Sequence, residues 1–190
     1  HTVRVFSRSP LPTLDVVHVD GDSHTSVALL RVVLEALHGR RPELVPLARG
    51  ASAGGRAPEA VLLIGDKVVH AENGTAGYPH QLDLGEAWKK LTGLPFVFAT
   101  WQARSGEDLG ELPSALADCR LRNRRRIPEI VAAHANGWPR DLALRYLGEI
   151  LRYELGEREL AAIELFWSRC HALGIIKRLR PLKLYENSQF

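Results

Sequence analysis

The sequence predicts an α/β protein whose second half is helical. Two observations predict this class. Short apolar strand patterns alternate with helical patterns through the first half of the chain, whereas helical patterns follow one another after residue 104. The composition agrees, because 45% of the 190 residues are hydrophobic and 25% are charged, as in an ordinary globular chain with a sizeable core.

Charge and cysteine usage narrow the possible partners. The formal net charge of +3 at pH 7 is mild, and basic and acidic residues are interspersed, which suits an anionic small molecule. Cys119 and Cys170 form neither a CxxC pair nor a zinc-ligand spacing, so we expect a reduced, cytoplasmic context. No segment has the pattern of a membrane span or a signal peptide. The sequence does not indicate an oligomeric state.

The first half of the chain carries the strand patterns. Strands are predicted at residues 2–7, 14–19, 43–47, 60–64 and 96–101. Apolar residues recur at helical spacing over residues 25–38, and Gly39 ends that run. The helix between two strands predicts a βαβ unit with parallel strands.

Loops and helices account for the remaining segments. Residues 48–58 and 72–79 are rich in small and turn-forming residues and are predicted as loops. The first of them is not a phosphate-binding loop, because it lacks a Gly-Lys-Ser/Thr sequence opening a helix. Helices are predicted at 109–119, 127–136, 141–155 and 157–173.

The most informative segment is residues 82–104, LDLGEAWKKLTGLPFVFATWQAR. Asp83 is placed to cap a helix, Gly93 to end it in a left-handed turn, and Pro95 to prevent its continuation. A helix that enters a core strand through so short a connection predicts a joint between two lobes, where ligand clefts form. The four Trp residues of the chain are predicted as core anchors.

A strand-to-helix turn at residues 20–30, DGDSHTSVALL, is the first candidate binding site. Ser23, Thr25 and Ser26 would place hydroxyls and backbone N–H groups at a helix N-terminus, where the dipole favours an anion. A carboxylate could bind there. The alternative is simple helix capping, which needs only one hydroxyl. His24 is predicted to face solvent.

Gly65 and Asp66 are the second candidate, at the carboxyl end of the strand AVLLIG. Glycine permits close approach of a ligand to the backbone, and ligands of open α/β sheets bind beyond this end of the strands. A turn or cap role for Asp66 is the alternative. Lys67 is predicted to be solvated.

Other patterns indicate surface rather than chemistry. The arginines of residues 120–126 are predicted as a solvated face, since no aromatic residues interleave with them as in a nucleic-acid site. No HExxH, GxSxG or glycine-rich dinucleotide motif is present. The sequence therefore gives no support for a metal or a nicotinamide cofactor, and no nucleic-acid or membrane partner is expected.

Several of these motifs resemble those of the chorismate dehydratases, which open the futalosine route to menaquinone. The resemblance rests on DSHTSVALL, VLLIGDKV, the segment of residues 82–104, YLGEILRYELGERE and FWSRCHALGI, and it extends over essentially the whole chain in order. TGLPFVFATW is its most specific part. The chain lacks Met and begins in a strand pattern, so we expect the protein to start upstream of His1, where the family's first part would lie.

The resemblance implies a two-lobed, type II periplasmic-binding-protein-like α/β fold with two crossing strands. Residues 1–9 would hold the first crossing strand and residues 10–94 the second, substrate-binding lobe. Residues 95–190 would hold the second crossing strand and the helices that return to the first lobe, whose N-terminal part would be missing.

The resemblance also implies a reaction and its residues. The family removes water from chorismate to give 3-[(1-carboxyvinyl)oxy]benzoate, without a metal or organic cofactor. Thr25 and Ser26 would bind a substrate carboxylate, with Ser23 beside them, and Gly65 and Asp66 would line the cleft. The proposed proton acceptor maps to Thr2, where the family residue is expected to be Ser; threonine keeps the hydroxyl but restricts χ1.

Two other functions remain open at this point. The same fold occurs in non-enzymatic solute-binding proteins for small carboxylates. It also occurs in the related 1,4-dihydroxy-6-naphthoate synthase of the same pathway. The sequence TGLPFVFATW favours the dehydratase over this synthase.

Overall fold

The computed structural model describes residues 2–21, 23–47, 57–70, 77–135 and 137–185. These residues form a mixed α/β structure, and the chain divides into two compact units. The first unit comprises His1–Phe98 and Gly156–Leu182, and the second comprises Ala99–Leu155 and Lys183–Phe190. The predicted α/β class is confirmed. The predicted lobe boundaries remain a prediction, although the first unit includes residues 156–182 as well as residues up to 98.

A five-stranded sheet forms the centre of the first unit. Its strands are β1 Val3–Ser7, β2 Val16–Val19, β3 Glu43–Pro46, β4 Ala60–Ile64 and β5 His80–Asp83. The order is β3-β2-β4-β1-β5, with β2 parallel to β3 and β4 and with β1 antiparallel to β4 and β5. The sheet is therefore mixed, and only its β2, β3 and β4 part is the parallel sheet that the sequence predicted. Strand β5 was not predicted.

Helix α1, His24–His38, connects β2 to β3 and confirms the predicted βαβ unit. Ser23 begins the helix by accepting a hydrogen bond from the backbone N–H of Ser26 at 3.2 Å. Gly39 ends it in the left-handed region at φ 63°, as predicted from sequence. Its buried face carries Leu29, Leu30, Val32, Val33 and Leu34.

Helix α3, Leu84–Thr92, has the ends that the sequence predicted. Asp83 caps it through a hydrogen bond from Glu86 N–H at 2.9 Å, and Gly93 ends it at φ 72°. A short helix α2, Asp66–His70, follows β4, and a single 3₁₀ turn, Leu11–Thr13, precedes β2. Neither of these two short elements was predicted.

The larger part of the core of the first unit lies on one face of the sheet, beneath α1, α3 and helix α7, Glu157–Ala172. Trp88 of α3 is completely buried there and packs edge-on against Phe96 and Phe166, at ring-centroid distances of 5.5 and 5.8 Å. A smaller cluster of Phe6, Val61, Val68 and Tyr78 covers part of the opposite face. Both faces of the sheet therefore contribute to the core.

Cys170 lies on the buried side of α7, and burial raises the pKa of its thiol to about 11. Since the thiolate is the nucleophile, we expect iodoacetamide at pH 8 to label Cys119, which is half-buried, well before Cys170. Timed intact-mass measurements, with denatured protein as the control, test this. Equal labelling rates in the folded protein would contradict it.

The raised pKa of Cys170 also determines how the stability of the folded protein depends on pH. Because the folded pKa of Cys170 lies above the ordinary thiol value of about 8.5, burial favours the neutral form. The contribution of the neutral thiol to stability is complete below about pH 8.5 and is lost as the pH rises toward about 11.

The segment at residues 96–101 is not the strand that the sequence predicted. Residues 95–104 have no regular secondary structure and pair with no strand among the described residues. The aromatic residues of this segment differ in burial: Phe96 packs into the core of the first unit, whereas Trp101 is 85% exposed. The prediction of Trp101 as a core anchor is therefore wrong for the described part of the chain, while that of Trp88 is confirmed.

The second unit is helical, as predicted, but with different bounds. It contains α4 Leu112–Arg124, α5 Ile127–His134, α6 Arg140–Arg145 and a π-helical segment, Tyr146–Ile150. Helix α4 begins later than predicted because Pro113 is compatible only with a first turn. The helix predicted to reach residue 155 ends at Ile150, and the carboxylate of Glu154 beyond it binds Arg120 and Arg124 of α4.

The predicted loops at residues 48–58 and 72–79 lie largely outside the described residues. Within the described ranges, no helix combines the length and the apolar character that a membrane crossing requires.

Candidate functional site

The sheet topology brings the predicted site residues to one edge. Parallel pairing of Val19 with Leu62 places the carboxyl ends of β2 and β4 side by side. Antiparallel pairing of Val3 with Ile64 places the start of β1 at the same end of the sheet. We call this end, formed by the residues that follow β2, β4 and β5 and precede β1, the carboxyl edge. Thr2 and the two predicted binding turns all lie there.

Thr2 and Gly65 are joined directly through their backbones. The N–H of Gly65 donates a hydrogen bond to the carbonyl of Thr2 at 2.7 Å, which extends the ladder between β1 and β4 by one step. This bond holds the backbone of the predicted proton acceptor. The side chain of Thr2 is half-buried.

Gly65 forms the turn from β4 into α2 in the left-handed region, at φ 63°. Its carbonyl accepts a hydrogen bond from Val68 N–H at 3.0 Å, and no atom lies within 4 Å of the position a Cβ would take. Backbone conformation rather than crowding therefore favours glycine at this position. Asp66, the first residue of α2, is exposed beside it.

The hydroxyls at the start of α1 have separate roles. Ser23 caps the helix and also donates a hydrogen bond from its Oγ to the Oγ of Ser26 at 3.0 Å. Ser26 is only 1% exposed, whereas Thr25 is half-buried and lies in the first turn. The capping interpretation is thus confirmed for Ser23. The N–H groups of the first turn belong to a helix of 15 residues, whose dipole favours an anion at this end.

An ion pair that the sequence analysis missed crosses the carboxyl edge. Asp20 directly follows β2 and has a side chain that is 8% exposed, and Lys67 Nζ lies 2.6 Å from its Oδ2. The sequence predicted that Lys67 would simply be solvated, but it forms an ion pair with Asp20. A charged residue directly after the apolar strand VVHV, with a lysine just after the neighbouring strand, was the signal available in the sequence.

The other missed feature is the aromatic ring at the far side of the edge. Because β5 is antiparallel to β1, with Asp83 opposite Arg4, its carboxyl end and the start of α3 lie at the same edge. The ring of Phe98 lies 3.5 Å from the position a Cβ would take at Gly85, and Phe98 is 39% exposed. Phe96 packs edge-on against that ring at 4.7 Å.

The chemistry available at the carboxyl edge is that of hydrogen bonding and charge. Hydroxyls and backbone N–H groups can orient an anion, and the ammonium of Lys67 offsets the charge of Asp20. The carboxylates of Asp20 and Asp66 limit where that anion can lie. Within the described residues, no three His, Cys, Asp or Glu side chains are grouped so that they could hold a metal ion.

The fold and this edge define an open α/β protein, a class that binds its ligands beyond the carboxyl ends of the strands. The family model described as menaquinone biosynthesis matches residues 1–172. The chain belongs to this family, which confirms the resemblance predicted from its motifs.

A curated relative agrees with the family match. The chain is 33% identical over 193 residues to the protein named chorismate dehydratase of Thermus thermophilus. The alignment covers 92% of this chain and 69% of that relative.

Proposed function

We propose that this protein is a lyase of menaquinone biosynthesis that dehydrates chorismate to 3-[(1-carboxyvinyl)oxy]benzoate in the futalosine route. The family match and the similarity to a chorismate dehydratase support this function. The observation that carries the assignment of the site is the carboxyl edge, where Thr2, the start of α1 and the Gly65-Asp66 turn meet.

The reaction makes modest demands on the protein. A proton leaves the ring and the C4 hydroxyl departs, so that one water is lost and the ring becomes aromatic, which drives the reaction. The enzyme has to hold a dianion in one orientation, accept the ring proton and assist the departing hydroxyl. This chemistry uses neither a metal nor an organic cofactor.

The proposed roles follow from the position of each residue. Thr25 and Ser26, with the N–H groups of the first turn of α1, bind one substrate carboxylate, and Ser23 holds that turn in place. Gly65 and Asp66 line the site. Thr2 accepts the ring proton with help from a substrate carboxylate, because an alcohol alone is a weak base.

The proposed architecture is that of the two-lobed, periplasmic-binding-protein-like fold. The division of the chain into two compact units, with the chain leaving the first unit after Phe98 and returning at Gly156, supports it. In this proposal β1 is the first crossing strand and the segment after Pro95 is the second crossing.

Incubation of the full-length protein with chorismate, followed by chromatographic separation of the products, tests the function. We expect chorismate to be converted to 3-[(1-carboxyvinyl)oxy]benzoate without added cofactor. Unchanged chorismate together with tight binding of another acid would favour a solute-binding protein. Conversion of a later pathway intermediate instead would favour the dihydroxynaphthoate synthase.

The double substitution Thr25→Val/Ser26→Ala is expected to weaken substrate binding more than it slows turnover. Hydrogen bonds to a charged group contribute about 1.5–3 kcal/mol each, so the loss of two of them should raise KM by about 10²- to 10⁴-fold while kcat falls much less. Steady-state kinetics measure both constants. Ser168→Ala, at an exposed position on α7, is the matched control and should leave both unchanged. An unchanged KM in the double variant would reject this binding role.

A further inference from the structure

The ion pair between Asp20 and Lys67 places two opposite charges at the carboxyl edge. Asp20 follows β2 and its backbone N–H donates to Leu62 O at 3.2 Å, so the residue is fixed to β4 as well. Lys67 is the second residue of α2, next to Asp66. The pair therefore lies between the start of α1 and the Gly65 turn, the two places proposed to bind the substrate.

The two partners differ sharply in exposure. The side chain of Asp20 is 8% exposed, whereas that of Lys67 is 51% exposed. A buried carboxylate without its cation would project an uncompensated negative charge into the edge, where water screens it weakly. The Lys67 side chain, by contrast, remains about half exposed at the carboxyl edge.

This arrangement matters most for a ligand with two negative charges. The α1 N-terminus supplies only about half of an elementary positive charge. Among the described residues, Lys67 is the cation in contact with the carboxylate of Asp20.

We propose that Lys67 is a specificity-determining residue: by neutralising the buried carboxylate of Asp20, it makes the carboxyl edge selective for a dicarboxylate over a monocarboxylate. The proposal rests on the proposed function for the identity of that dicarboxylate, chorismate. It assigns Lys67 to ligand selection rather than to the transfer of a proton.

The test compares Lys67→Gln, Lys67→Arg and Lys90→Gln in the full-length protein. Lys67→Gln should raise KM for chorismate by about tenfold, with kcat within about twofold of the wild type, because charge complementarity acts mainly on binding. Lys67→Arg keeps the charge and should restore KM. Lys90→Gln removes the same charge from the exposed side of α3 and should leave KM unchanged.

A second variant separates charge from structure. Asp20→Asn/Lys67→Gln removes both charges, so it should return KM to within about threefold of the wild type, and added salt should reduce the defect of Lys67→Gln alone. A purely structural role for the pair predicts that the double variant is at least as impaired as the single one, and salt-independent. That result would overturn the proposal.

Calorimetry with 3-[(1-carboxyvinyl)oxy]benzoate, and with benzoate as the monocarboxylate probe, keeps this test independent of turnover. A larger loss of affinity for the dicarboxylate than for benzoate in Lys67→Gln supports the proposal, because the Coulomb repulsion by Asp20 grows with the charge of the ligand. This holds even if the wild type does not dehydrate chorismate, which would reject the proposed function alone. Normal turnover by the wild type with equal dicarboxylate affinity in all variants would reject the role of Lys67 alone. Failure of the wild type to bind the dicarboxylate would reject both.

Discussion

Thr2→Val should lower kcat for chorismate by about 10²- to 10⁴-fold, the usual contribution of a positioned acid or base, while KM changes by less than about threefold. Valine keeps the shape and the β-branching of threonine but removes the hydroxyl that the proposed function uses as proton acceptor. The backbone bond from Gly65 N–H to Thr2 O does not depend on the side chain and should persist. Steady-state kinetics of the full-length protein measure kcat and KM, and single-turnover experiments measure the rate of the chemical step.

The matched control is Thr2→Ser, which retains the hydroxyl. Serine is also the residue that the family resemblance leads us to expect at this position. We expect Thr2→Ser to keep most of the activity and its dependence on pH. If Thr2→Val turned over chorismate as fast as Thr2→Ser, the hydroxyl would not be the proton acceptor, and the assignment of Thr2 would fail.

Trp88→Ala should destabilise the protein by about 3–5 kcal/mol, the range for removing a fully buried aromatic side chain. Trp88 is completely buried, and its Nε1–H donates a hydrogen bond to the carbonyl of Pro95 at 3.1 Å. Its ring also packs edge-on against Phe96 and Phe166, so that one side chain joins α3, the segment after Pro95 and α7. Urea unfolding of the full-length protein, followed by circular dichroism, measures the loss.

Trp101→Ala is the control, because it truncates the same type of side chain at an exposed position. Trp101 is 85% exposed, so its removal should change the free energy of unfolding by less than about 0.5 kcal/mol. Comparable losses in both variants would mean that exposure does not distinguish the two tryptophans. The role of Trp88 as the anchor of the first unit would then be wrong.

Local sequence signals predicted the ends of the two best-defined helices. Ser23 and Gly39 bound α1, and Asp83 and Gly93 bound α3, as the sequence indicated. These ends are readable because a cap is a bond between residues three or four positions apart, and a left-handed turn depends on one residue type. Of the candidate site, the sequence identified Thr2, the start of α1 and the Gly65-Asp66 turn as separate places.

Sequence patterns failed where an outcome depended on a distant partner. Phe96 and Trp101 belong to one apolar pattern that predicted a strand, yet one is packed in the core and the other is exposed. A strand needs a hydrogen-bonding neighbour, and no local pattern specifies one. For the same reason β5 was missed: HQLD has little strand character alone, and its pairing with β1 stabilises it.

The α/β class, the family and the residue types available at the candidate site follow from the amino-acid sequence, because motifs, caps and periodicity are local properties of the chain. The antiparallel pairing of β1 with β4, which brings Thr2 beside Gly65, became visible in the three-dimensional structure. The same is true of the contact between Lys67 and the buried carboxylate of Asp20, 47 positions away. Strand order and buried ion pairs arise from contacts between distant segments, whose free energy depends on the packing of the whole unit.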